Sequence, residues 1–93
     1  MNEVSEPLLL HVGFDNVVMV SQILGVFDIR SAAIKRIIDT AKEERPRSVI
    51  SVTKGRKAWS VIFLSGDRYV VSCIPRKQIY KRLLGDGFKS PTE

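Results

Sequence analysis

Three short apolar runs open the chain: Leu8 to Val12, Asn16 to Val20 and Ile23 to Phe27. They are rich in β-branched and aliphatic residues and are broken at Gly13-Phe14-Asp15 and at Ser21-Gln22, which predicts a small meander of two or three strands. The period then changes. Ala33, Ile34, Ile37, Ile38 and Ala41 recur on one helical face behind Ser31, whose hydroxyl suits an N-cap, and this face is expected to enter the core. Arg45-Pro46 ends that helix near Glu44, because a residue before proline is pushed out of the α region. Alternation returns in Ser48 to Thr53 and in Ala58 to Leu64, separated only by Lys54-Gly55-Arg56-Lys57, which predicts a hairpin with a basic tip. A turn at Ser65-Gly66-Asp67-Arg68 leads into Tyr69 to Ile74 and completes a three-stranded antiparallel run. Pro75 suits the first position of a second helix, whose stripe of Ile79, Tyr80, Leu83 and Leu84 is closed by Gly85.

The expected fold class is therefore α+β: a small single domain of antiparallel β-strands, a meander and then a three-stranded run, with two helices in the order βββ-α-βββ-α. Residues 1–7 are expected to form a flexible N-terminus, residues 8–84 the domain, and residues 85–93, with Gly87, Ser90 and Pro91, a disordered tail. A 93-residue chain with 44% hydrophobic content can bury one modest core. Because a domain this small barely offsets its lost chain entropy, self-association is expected.

Charge adds a direction to this picture. From Met1 to Ile29 there are Glu3, Glu6, Asp15 and Asp28 and no Lys or Arg, whereas all 15 basic residues follow, giving a net +5 and a pI near 9.7. Such a basic excess favours an anionic partner. No basic n-region opens the chain and no apolar run approaches the ~18 residues of a membrane span, so a cytoplasmic protein without a membrane partner is expected. Cys73 is the single cysteine and His11 the single histidine, which removes an intrachain disulfide and the usual metal and triad clusters. A surface or structural role is expected for His11 and a buried apolar one for Cys73. The acids show no paired catalytic spacing and no glycine loop precedes a helix, so no enzyme, no cofactor and no small-molecule ligand is expected.

What chemistry remains is cationic. Lys54, Arg56 and Lys57 share one short turn; the planar fork of Arg56 suits a guanine edge in duplex DNA, while Lys54 and Lys57 suit phosphate. Hairpin tips are also polar simply because they are wet, so at this level both readings stand. Arg30, Lys35 and Arg36 at the start of the first helix form a second candidate set, where backbone N–H groups favour phosphate too. Arg76, Lys77, Lys81 and Arg82 give the second helix a basic face that could bind phosphate or merely stay solvated. Trp59 could stack on a base, although a core or subunit-contact role is the stronger expectation.

Three segments in this order, His11-Val12-Gly13-Phe14 with Asn16-Val17-Val18, then Ile34-Lys35-Arg36, then Thr53-Lys54-Gly55-Arg56-Lys57, resemble the bacterial RemA/RemB extracellular-matrix regulator family. The resemblance covers about Leu8 to Leu84. It implies a compact α+β subunit, ring-like homo-oligomers, and double-stranded DNA binding that activates biofilm-matrix genes. The paired arginines that the RemA branch carries in the basic turn fall on Arg56 and Lys57, so the second position keeps its charge and loses its fork. A further arginine of that branch falls on Gln22, about two residues are added around Arg45 to Ser48, and Ile23 to Asp28 looks more like the RemB branch. An oligomeric interaction module that recruits a protein or an acidic surface without touching DNA is the alternative.

Overall fold

The computed structural model describes residues 9–84; the expectations for a flexible N-terminus over 1–7 and a disordered tail over 85–93 lie outside them. The elements are β1 (Leu9–Gly13), β2 (Asn16–Met19), β3 (Ile23–Asp28), α1 (Ala32–Glu44), β4 (Val49–Ser51), β5 (Ser60–Leu64), β6 (Arg68–Ser72) and α2 (Arg76–Leu84). This is the expected α+β order. Local chemistry explains the boundaries. Ser31 caps α1 by accepting from the Ile34 N–H at 3.5 Å, Arg45 closes its C-terminus, and the Pro75 carbonyl accepts from the Gln78 and Ile79 N–H groups of α2.

Pairing departs from the local pattern in two places. β1 and β2 form a separate antiparallel hairpin, but β3 leaves them after a 3₁₀ turn at Val20–Gln22 and pairs with β5, so the first three strands are not a continuous meander. The second departure concerns the basic tip. The larger sheet has the order β3-β5-β6-β4, and β4 runs parallel to β6, so the expected hairpin between β4 and β5 does not form and the run is not wholly antiparallel. Burial accounts for this choice. β5 is buried along nearly its whole length and takes a neighbour on each edge, whereas β4 is three residues long with Ile50 exposed and serves as an edge.

The period of two divides the sheet cleanly. One face carries Ile62, Leu64 and Val70 into a core shared with Leu10, Val12, Val26, Val52 and Ile79, so it is covered by the hairpin and α2. The other carries Val61 and Val71 against Ile38 of α1, flanked by Phe63 and Tyr69. The helical face expected of α1 is narrower than its five apolar residues: Ile38 and Ala41 are buried and Ile34 half-buried, while Ala33 and Ile37 are exposed. Ile34, Ile38 and Ala41 stack on one side of the helix, and Ala33 and Ile37 lie round from it. In α2 the same narrowing leaves Tyr80 and Leu84 exposed beside buried Ile79.

Where the hairpin meets the sheet, buried hydroxyls join the layers. Ser72 Oγ donates to the Val12 carbonyl at 2.6 Å and accepts from the Ile74 N–H at 3.0 Å, and Ser60 Oγ donates to the Ile74 carbonyl. Gly13 sits above this seam at φ +128°, and a Cβ there would lie 3.3 Å from the Val52 carbonyl oxygen. Only glycine combines that backbone angle with so close an approach.

Candidate nucleic-acid interface

The basic segment is a crossing connection rather than a hairpin. With β6 inserted between β4 and β5, residues 52–59 pass over the C-terminal end of β6, pinned on both flanks: the Val52 N–H donates to the Val71 carbonyl and the Trp59 N–H to the Ser72 carbonyl, each at 2.9 Å. At its apex the Arg56 N–H donates to the Thr53 carbonyl at 3.0 Å, closing a turn with both central residues at positive φ, Lys54 at 50° and Gly55 at 81°. Gly55 thus takes a left-handed φ at the bend, while the expected hairpin is replaced by a crossing connection. Lys54, Arg56 and Lys57 are all exposed at this apex.

Two aromatic side chains organise the cations. Phe14, from the β1–β2 turn, lies with its ring centroid 5.2 Å from Lys54 Nζ and 5.5 Å from the Arg56 guanidinium carbon. Trp59 lies 4.6 Å from Lys57 Nζ and 5.3 Å from the Arg30 guanidinium carbon. A cation over a ring face is attracted by the ring quadrupole, by about 0.5–1 kcal/mol at an exposed site. Both rings thus hold charged heads in place and leave them open to water. Trp59 belongs to neither core cluster and is half-buried beside these cations, which corrects the core half of the expected core or subunit-contact role. Cys73 is likewise only half-buried, in a groove it shares with Leu10, Phe14, Ile74, Arg56 and Arg82. His11 is exposed on β1.

Arg30 is separated from its sequence companions. Its Nη2 lies 2.7 Å from Asp28 Oδ2 and its Nε 3.0 Å from Oδ1, while its backbone N–H donates to Oδ1 at 2.8 Å. This is the one ion pair among the described residues. The Arg30 side-chain bonds, then its backbone N–H, hold the Asp28 carboxyl down at about 2, with smaller charge contributions from Arg30 and Arg76. A depressed carboxylate pKa means the pairing is complete above the ordinary value of 3.8 and is lost as pH falls towards about 2. An NMR titration should therefore place the Asp28 carboxyl midpoint at about 2, well below the ordinary value of 3.8; a midpoint near 3.8 would show that the pair does not form in solution.

Lys35 and Arg36 lie elsewhere, on the outer surface of α1 beside Asp39 and Glu43 in a shallow depression. Among the described residues no side-chain hydrogen bond or ion pair joins them to the turn. Instead it brings Arg76 to the Trp59 side. Arg76 Nε donates to the Val26 carbonyl at 3.0 Å, and Nη2 to the Tyr80 hydroxyl at 3.1 Å. Arg76 and Lys77 line a cleft of about 270 Å³ with Asp28, Arg30, Trp59 and Pro75. Residue spacing does not reveal the role of Phe14; its one trace in the chain is a bulky aromatic between Gly13 and Asp15 in a tight turn, where the structure holds it at φ 50°. Among the described residues no cluster of His, Cys, Asp and Glu could hold a metal, and no helix is long and apolar enough to cross a membrane.

The fold and this surface together define a small α+β domain that presents cations, held by aromatic rings, on an exposed face. The chain belongs to the RemA-like family, described as extracellular matrix regulatory protein A-like, whose family model matches residues 9–83. Similar proteins include one of Leptospira biflexa, 41% identical over 81% of this chain and 78% of its own length. Others come from Finegoldia magna, 36% identical over 80% of this chain and 87% of the relative, and from Halothermothrix orenii, 35% identical over 84% and 90%. Each carries the name "Putative regulatory protein". That name describes a regulator rather than an enzyme.

Proposed function

We propose that this chain is an oligomeric DNA-binding transcriptional regulator, acting in the cytoplasm on extracellular-matrix or biofilm genes and touching duplex DNA through the Lys54 to Lys57 turn. The observation that carries the reading is the apex itself: three exposed cations with no carboxylate partner among the described residues, on a connection tied to β6 at both ends. In this geometry a compact loop, rather than a ribbon, would meet the groove. Arg56 is assigned to a base edge, and Lys54 and Lys57 to phosphate. Lys35 and Arg36 lie apart from the turn and would add backbone contacts only where the duplex spans more of the subunit or its neighbour. Homo-oligomerisation, ring-like as the resemblance implies, would multiply weak contacts through effective concentration. Exposed Leu9, Val17, Met19, Leu24 and Ile50 supply apolar surface for such contacts.

The same apolar surface supports a second reading, an oligomeric scaffold that binds protein and not DNA. Fluorescence anisotropy with a labelled duplex at several salt concentrations, alongside native mass measurement, separates them. If Lys54 and Lys57 each neutralise a phosphate, log K should fall with log salt at a slope of roughly −2 per engaged subunit. An intact oligomer that fails to bind duplex at low salt would leave the scaffold reading in place.

A further inference from the structure

We infer that the Trp59 cleft is a second DNA contact, a phosphodiester-binding site in which Arg30, Arg76 and Lys77 hold the backbone beside the base-reading turn; this rests on the DNA-binding reading above. Three separate parts of the chain converge on the cleft: Asp28 ends β3 and Arg30 follows it, Trp59 ends the crossing connection, and Pro75 leads into Arg76 and Lys77 at the start of α2. Lys57 adds a further cation at its edge, 4.6 Å from the Trp59 ring. Against these four cations the cleft has one carboxylate, Asp28, and that carboxylate is already spent on Arg30.

The two guanidiniums are anchored in the same way. Arg30 bonds Asp28 through Nε and Nη2, and Arg76 bonds the Val26 carbonyl and the Tyr80 hydroxyl through Nε and Nη2. Neither Nη1 has a hydrogen-bond partner among the described residues. Each fork is therefore held on one side by the protein and leaves donors on the other. An arginine has five N–H donors and no acceptor, so the uncommitted ones call for an anion or water. Holding the rest of the side chain in advance reduces the rotamer entropy lost on binding, which is the usual advantage of a preformed site. The acidic neighbour works towards this end, because Asp28 orients the Arg30 fork across the Trp59 ring. A phosphodiester oxygen is the small, singly charged, non-directional acceptor that fits such a set, and Trp59 offers an apolar wall to the adjoining sugar.

Backbone contacts carry no sequence information, so this site has a different signature from the turn. The experiment measures affinity and its salt dependence for full-length wild type, Lys77→Glu and Arg76→Ala on two unrelated duplexes. It also follows emission from Trp59, the single tryptophan of the chain. Each variant should lose affinity on the order of tenfold, alike on both duplexes, with the log K against log salt slope flatter by about 1 for each phosphate no longer neutralised. In wild type the Trp59 emission should change on DNA saturation, and the change should persist in Arg56→Ala once DNA is saturating. Arg76 also holds the Val26 carbonyl, so Arg76→Ala is interpreted only beside a melting curve. The Lys77 side chain makes no hydrogen bond or ion pair among the described residues and carries the test if that variant melts early.

Wild type that binds DNA with a steep slope while Lys77→Glu keeps its affinity within about twofold and Trp59 stays silent would overturn this site and leave the turn standing. Wild type that binds no duplex removes both. A Trp59 response to anionic phospholipid vesicles in place of duplex would also overturn the assignment, by making the phosphate that of a membrane.

Discussion

Replacing Arg56 and Lys57 together by alanine is expected to weaken duplex binding by about 100-fold while leaving the melting curve essentially unchanged. A bidentate arginine on a guanine edge contributes roughly 1–3 kcal/mol, and each tenfold in affinity is about 1.4 kcal/mol, so Arg56 alone accounts for one to two orders of magnitude. Lys57 adds a charge whose removal should flatten the salt slope by about 1. Stability should be spared because both side chains are exposed and their contacts are to ring faces, Phe14 and Trp59, rather than to buried partners. The turn is held by backbone bonds, from Arg56 N–H to Thr53 and from the flanks to β6, which alanine keeps. Anisotropy titration and a thermal melt on the same samples check both halves. A double variant that binds as wild type does would place the DNA contact elsewhere.

Ile62→Ala is expected to be the most damaging single truncation, costing about 2–5 kcal/mol. Ile62 is fully buried on the central strand β5, and its side chain enters the larger core among residues of β1, β3, β6 and α2. A cavity there is bordered by the hairpin on one side and the helix on the other, so collapse of one layer opens the other. A domain of this size has a total stability on the order of 5–14 kcal/mol, so the substitution removes a large fraction of it. The midpoint of a urea or thermal transition should fall steeply. A shift equivalent to less than about 0.5 kcal/mol would mean that β5 is not the centre of the sheet.

These expectations draw on features that differed in how plainly the chain displayed them. Ser31, the Arg45-Pro46 stop and Gly55 were legible because each acts through its own backbone neighbours. The element order followed from the change of period. Strand pairing did not, because alternation marks a half-buried strand without naming its partner; an edge strand such as β4 and a hairpin arm share the same pattern. Only burial along β5, which depends on its pairing with β3 from before α1, decides that β6 intervenes.

The same distinction divides the candidate site. Lys54, Arg56 and Lys57 were visible as a group because they are nearly contiguous and glycine marks the bend. Phe14 and Arg76 join the two aromatic-centred groups only through tertiary packing, which spacing does not encode. Sequence proximity alone groups Arg30 with Lys35 and Arg36. A fork bonded to Asp28 turns it towards Trp59, whereas the next helical turn carries Lys35 and Arg36 to the far surface.

Amide hydrogen exchange across Thr53 to Trp59, with and without duplex DNA and at two protein concentrations, tests most directly whether the cationic apex reaches nucleic acid. Exchange at the apex should be fast in free protein at both concentrations and should slow on adding duplex. Protection that is already present without DNA, rises with protein concentration and ignores the duplex would instead bury the apex between subunits and contradict the DNA-binding account.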